Sequence, residues 1–169
     1  MSKNMSIEKT FASAVQNHKK NNFQVAENLY NQILKIDPNH IKTIFLLGTL
    51  SLQTKNFSRA KQMLQKAIQV QPNNVDAYNN LGVVFKESEE FQKAKDCFEK
   101  VIQILPNHVD ALNNLGNVFK QLGEPRKAIN YYQKAIEIEP NYVGAHYNLM
   151  EVCEKTNRIK ELKNAVLNA

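Results

Sequence analysis

Apolar residues recur at helical spacing in short blocks, and the blocks come in pairs. Tyr78, Leu81, Val84 and Phe85 lie on one face of a helix, and so do Ala94, Cys97, Phe98 and Val101. Between them runs Glu87-Ser88-Glu89-Glu90, a polar turn. The pattern predicts two helices joined by a short connection. The pair then repeats along the chain. Pro38, Pro72, Pro106 and Pro140 stand 34 residues apart, and each is followed by Asn. A proline pushes the preceding residue out of the helical region, so each should end the second helix of its unit. The Asn, or the residue after it, is placed to cap the next first helix. The period divides the chain into units 7–40, 41–74, 75–108 and 109–142 and a partial unit 143–169. Pro125 falls in the first turn of a second helix, where proline is tolerated.

Each column of the repeat keeps its own size class. The seventh reads Ser13, Leu47, Leu81, Leu115, Leu149, and the eighth Ala14, Gly48, Gly82, Gly116, Met150. The twentieth reads Ala26, Ala60, Ala94, Ala128, Leu162, and the twenty-fourth Tyr30, Leu64, Phe98, Tyr132, Val166. A mid-helix glycine costs about 1 kcal/mol relative to alanine, so its column implies a neighbour packed on bare backbone. One helical pair cannot bury its apolar face alone, whereas stacked pairs bury it against each other.

These columns resemble the tetratricopeptide repeat (TPR) family, whose pattern is bulky, Leu-Gly, aromatic, Ala, aromatic, Ala, Pro. Unit 75–108 carries Tyr78, Leu81-Gly82, Phe85, Ala94, Phe98 and Pro106. Unit 109–142 carries Leu112, Leu115-Gly116, Phe119, Ala128, Tyr132, Ala135 and Pro140. Unit 41–74 departs at Ser51, and unit 7–40 at Thr10, Ser13 and Asn17. The resemblance implies an all-α, right-handed superhelical solenoid of about five helix-turn-helix units and ten helices. Residues 1–6 are then a disordered N-terminus and 7–169 a single domain. Helix A of each unit would line a concave groove and helix B the outside.

In this family the groove is lined chiefly by positions two, five, six, nine, twelve and thirteen. Asn80, Asn114 and Asn148 share position six, with Asn79 and Asn113 at five and Asn117 at nine. A side-chain amide both donates and accepts, so a row of them suits the backbone of an extended peptide. A similar asparagine ladder occurs in the TPR arm of O-GlcNAc transferase, the nearest resemblance in pattern. The other groove candidates are Phe11, Val15, Phe45, Leu46 and Leu52, with Lys42 at position two and Tyr147 at position five. The carboxylate clamp of TPR co-chaperones is not expected, because Phe11 and Val15 occupy its Lys and Asn positions.

Composition narrows the reading. The chain has 169 residues and a net charge of +6, with 22 Asn among them; so much Asn also suits plain surface positions. Unit 41–74 holds Lys42, Lys55, Arg59, Lys61 and Lys66 and no acid, mostly on helix B. Arginine is scarce and not interleaved with aromatics, so nucleic acid is not an expected partner. No apolar run approaches a membrane span and no leader pattern is present, which makes the cytoplasm the expected compartment. His18, His40, His108 and His146, with Cys97 and Cys153, show no metal-ligand spacing. No cofactor, metal or catalytic residue is expected. The leading expectation is a non-catalytic scaffold for a protein or peptide. Alternatives are the substrate-recruiting arm of a larger transferase and a self-assembling scaffold. Ile159, Leu162, Val166 and Leu167 near the C-terminal end are apolar enough to suggest a homo-oligomer.

Overall fold

The computed structural model describes residues 3–167, with side chains from 5 to 157. The described residues form nine helices and no strand. They are α1 Lys3–Lys19, α2 Phe23–Ile36, α3 Ile41–Gln53, α4 Phe57–Val70, α5 Val75–Glu87, α6 Phe91–Ile104, α7 Val109–Gln121, α8 Pro125–Ile138 and α9 Val143–Leu167. Contacts gather the chain into two compact units, Met1–Val84 and Phe85–Ala169. Repeat chains make contacts mainly between neighbouring hairpins, which favours such local grouping. Helix α1 begins at Lys3, within the segment 1–6 expected to precede the repeats. Buried Ile7 fixes the first turn there, and adding residues to a formed helix is cheap.

Helix ends follow the proline period. The second helices end at Ile36, Val70, Ile104 and Ile138, two residues before each proline. Their C-caps Asp37, Gln71, Leu105 and Glu139 are extended, with φ near −130°. The caps of the first helices fall one residue beyond the Asn: Asn74 accepts from the Ala77 N–H at 2.9 Å, and His108 Nδ1 from the Ala111 N–H at 3.3 Å. Pro125 opens α8.

Each turn within a pair is a left-handed C-cap that the sequence only half reveals. Asn21, Lys55, Glu89 and Gly123 share one repeat column and all have positive φ, from 57° to 76°. The next N–H reaches back five residues: Asn22 to Asn17 O, Asn56 to Ser51 O, Glu90 to Phe85 O and Glu124 to Phe119 O, at 2.8 to 2.9 Å. Glycine fits this backbone without penalty, whereas Lys55 and Glu89 bear the steric cost of a left-handed residue. Glu89→Gly is therefore expected to stabilise the fold by about 1 kcal/mol. Denaturant unfolding checks this, and a destabilised variant would contradict it.

In the first unit, fully buried Tyr30, Ala14, Ala26 and Leu47 and nearly buried Leu50 form a core cluster, flanked by Phe11, Phe23, Leu29, Leu46 and Met63. Ser51, the departure from the aromatic column, is buried and donates to Leu47 O at 2.7 Å. In the second unit Phe98, Leu115, Val118 and Tyr132 are fully buried, and Phe119 stacks on Tyr131 at 5.3 Å.

The fifth pair is corrected by the structure. Where a turn and a tenth helix are expected, α9 runs unbroken for 25 residues through Asn157. The reason lies in two columns. Earlier pairs close on glycine or alanine at position eight and alanine at position twenty; here those positions hold Met150 and Leu162. An added Cβ at Gly48 would already stand 2.9 Å from Leu64 Cγ, so a methionine leaves no room for that closure. Met150 is instead 54% exposed.

Candidate functional site

In the first unit the face shared by α1 and α3 gathers several groove candidates. Val15, His18, Lys19, Asn21, Tyr30, Leu46 and Gln53 line a cleft of about 340 Å³. Val15 and Leu46 are half-buried walls, and Lys19 stands exposed at the rim. His18 ties three helices together: Nδ1 lies 3.2 Å from the Tyr30 hydroxyl and Nε2 2.8 Å from Gln53 Oε1. Since Gln53 Oε1 can only accept, Nε2 carries the proton and Nδ1 accepts from Tyr30. Burial pushes the Tyr30 phenol up to about 12. Phe11 is half-buried and packs against Tyr30 and, edge-on at 5.4 Å, against His40. Phe45 is half-buried and Lys42 exposed, and neither lines the cleft. Lys19 and Gln53 occupy groove columns, yet nothing about Lys or Gln alone singles them out in the sequence.

The asparagines divide between the two units. In the first, half-buried Asn80 donates to Thr49 Oγ1 at 3.1 Å, and Asn79 Oδ1 is buried without a hydrogen-bond partner. In the second, Asn148 donates to Asn113 Oδ1 at 2.9 Å, and Asn113 is only 8% exposed. Asn113 thus joins α7 to α9 rather than facing outward. Asn117 accepts from the Tyr132 hydroxyl at 2.9 Å, and Asn114 from Lys86 Nζ at 3.4 Å. Several of these amides spend a hydrogen bond on the neighbouring helix. An amide that donates once keeps its carbonyl oxygen as an acceptor, as at Asn80 and Asn148. Asn117 also lines a polar cleft of about 380 Å³ with Lys86, Glu87, Glu89, Phe91, Lys120 and Gln121. Tyr147 is 61% exposed on α9, one turn from exposed Val143 and Met150.

One ion-pair network crosses from α7 to α9. Glu151 pairs with Lys120 at 2.8 Å and with Lys155 at 2.6 Å. Hydrogen bonds from those two ammonium groups hold its carboxyl down to about 2. A carboxyl with a lowered folded pKa stabilises the fold above its usual value near 4.5 and loses that contribution as pH falls towards 2. Lys155 is exposed and the other two groups are only partly buried, so the network is worth at most about 1 kcal/mol at neutral pH. Glu151→Gln should therefore melt below wild type at pH 7 and converge with it at the acid end of that window. Thermal melts across that range check it, and a gap that widens in acid would contradict it.

Among the described residues no group of three His, Cys, Asp or Glu is placed to hold a metal, and no helix is long and apolar enough to cross a membrane. Cys97 is buried, which pushes its thiol up to about 12 and leaves it a packing residue. The histidines are accounted for locally: His40 contacts Thr43 Oγ1 at 2.7 Å, His108 caps α7, and His146 lies 2.8 Å from Pro140 O.

Helical pairs on a fixed period, closing on small residues and presenting first-helix faces, define a helical-repeat protein. Two profiles described as tetratricopeptide repeat match the chain, one over residues 18–82 and the other over 75–108 and 109–142. The chain belongs to the tetratricopeptide repeat family. Its fold is similar to two crystal structures of MamA, each 28% identical. One has a TM-score of 0.80, with 85% of this chain and 84% of that chain covered; the other has 0.82, with 93% and 86% covered. A Pseudomonas aeruginosa pilF structure, 18% identical with a TM-score of 0.80, covers 92% of this chain and 71% of its own, and shows the shared fold. No curated protein sequence matches the chain. Tetratricopeptide repeat proteins bind proteins or peptides, and the repeat is generally a non-catalytic interaction module.

Proposed function

We propose that the chain is a non-catalytic interaction scaffold that holds an extended peptide or a partner helix on its first-helix faces. The observation that carries this is the cleft between α1 and α3, where half-buried Val15 and Leu46 converge beside an exposed lysine. Such a cleft accepts one apolar side chain, and the amide of Asn80 in the same unit offers a hydrogen bond to a peptide backbone. The same faces serve the narrower reading of a recruiting arm of a larger transferase, which rests on the likeness of the asparagine columns to that of O-GlcNAc transferase. The test is to select peptides from a displayed library and measure their affinity by fluorescence anisotropy. Leu46→Ser or Asn80→Ala should weaken binding several-fold with helicity unchanged. No selected peptide, or full affinity in both variants, would overturn the proposal.

A second reading is self-association through α9. Val143, Tyr147 and Met150 are 78%, 61% and 54% exposed and lie on one face of the helix. The side chains first expected to drive it, Ile159, Leu162, Val166 and Leu167, lie outside the described ones. Light scattering over a range of concentrations decides it: a monomer throughout removes the reading.

A further inference from the structure

Charge is divided unevenly between the two units. Met1–Val84 holds ten Lys and Arg against four Asp and Glu, while the residues from Phe85 onward hold twelve of each. The whole net charge of +6 therefore belongs to the first unit. Of its four acids, Glu27 is held by Arg59, and Asp37 accepts from the Asn39 N–H at 3.1 Å. The residues lining the α1–α3 cleft include no acid. Lys19 is exposed at its rim, and Lys20, Lys42 and Lys55 of the same unit are exposed as well. His18 has both ring nitrogens engaged, so it acts as a fixed wall, and the cation presented to a ligand is Lys19.

Resting on the function proposed above, we infer that this cleft takes an acidic peptide segment carrying one large apolar side chain. The apolar side chain seats between Val15 and Leu46, and a neighbouring carboxylate meets Lys19. The two parts act differently. Burial of an anchor in a desolvated cleft supplies most of the affinity. Rim charges steer encounter, confer salt sensitivity and disfavour partners of like charge. A net positive unit whose cleft is lined by no acid also concentrates oppositely charged ligands near its mouth. A lysine-rich segment is opposed by the same field. Recognition runs through side chains and needs no free terminus.

The test uses short fluorescein-labelled peptides blocked at both ends. One carries a single central Phe flanked by Asp and Glu, a second has Lys flanks instead, and a third keeps the acidic flanks with Ser in place of the Phe. Anisotropy titrations should show binding of the first alone, weakened several-fold when salt is raised from low to about physiological concentration. Lys19→Glu should weaken it about tenfold, whereas Lys134→Glu, the same charge change in the second unit, should not. Val15→Ser and Leu46→Ser give two independent ways to remove the seat, with circular dichroism confirming the fold. Equal binding of the Lys-flanked peptide, or equal loss in Lys19→Glu and Lys134→Glu, overturns the inference. If library-selected peptides bind while none of these probes does, the acidic preference falls and the scaffold proposal stands. If no peptide of either kind binds, both fall.

Discussion

Gly116→Ala is expected to cost about 1–3 kcal/mol, although alanine is the better helix former. An added Cβ would stand 2.4 Å from Tyr132 Cε1 and 2.7 Å from its Cδ1, closer than side-chain atoms approach. The ring cannot easily withdraw: Tyr132 is fully buried, and its hydroxyl donates to Asn117 at 2.9 Å. Overpacking of this kind costs about 1–3 kcal/mol, and loss of the hydroxyl's bond adds about 1, against roughly 1 gained in helix propensity. Gly144→Ala is the control, because its Cβ would lie 3.3 Å from Tyr142 in an exposed position, so the propensity gain should prevail. The clash also predicts rescue. Leu64 is the residue of unit 41–74 that faces its glycine, so Tyr132→Leu should recover part of the loss in Gly116→Ala, a coupling that a double-mutant cycle reads. Since unfolding of a repeat chain can proceed in parts, hydrogen exchange in α7 and α8 is the better monitor than one melting midpoint. Equal stability of Gly116→Ala and Gly144→Ala would defeat the packing argument.

That contact explains how much of the fold the sequence makes legible. Size classes on a fixed period are a direct print of backbone approach, so the close packing at Gly116 is legible in its column, whereas Tyr132 as the side chain it meets is not. Helix ends were equally legible, since a proline acts on its immediate neighbour. The unbroken α9 was written in the same columns, as Met150 and Leu162 in place of small residues, but a column identifies a departure more readily than its structural result. Left-handed backbone at Lys55 and Glu89 was hidden, because only Gly123 and Asn21 in that column are residue types that favour the conformation. The asparagines show the deeper limit. A column fixes which face a side chain leaves from, whereas its hydrogen bonds depend on rotamers and on the next helix. Hence Asn113 is buried under Asn148 while Asn80 remains half-exposed. The His18 link to Tyr30 and Gln53 spans three helices, and no local pattern encodes it.

Tyr30→Ala is expected to cost about 3–5 kcal/mol, the range for truncating a fully buried aromatic ring. Tyr30 has no exposed surface and packs with Ala14, Ala26 and Leu47, with the rings of Phe11 and His18 centred 6.4 and 6.0 Å away. Removing the ring leaves a cavity beneath the α1–α3 cleft, so protection from hydrogen exchange should fall first in α1 and α2. Tyr30→Phe separates packing from polarity. It keeps the ring, loses only the hydroxyl opposite His18 Nδ1, and should cost about 1 kcal/mol. It also changes the alkaline limit. A phenol raised from 10.0 to about 12 is favoured neutral in the fold, so its contribution holds below pH 10 and is lost as pH rises towards 12. Tyr30→Phe should therefore narrow its deficit against wild type in alkali, and denaturant titrations at neutral pH and near pH 11 measure that. If Tyr30→Phe is as damaging as Tyr30→Ala, the hydrogen bond through His18, and not the packed ring, holds the first pair together.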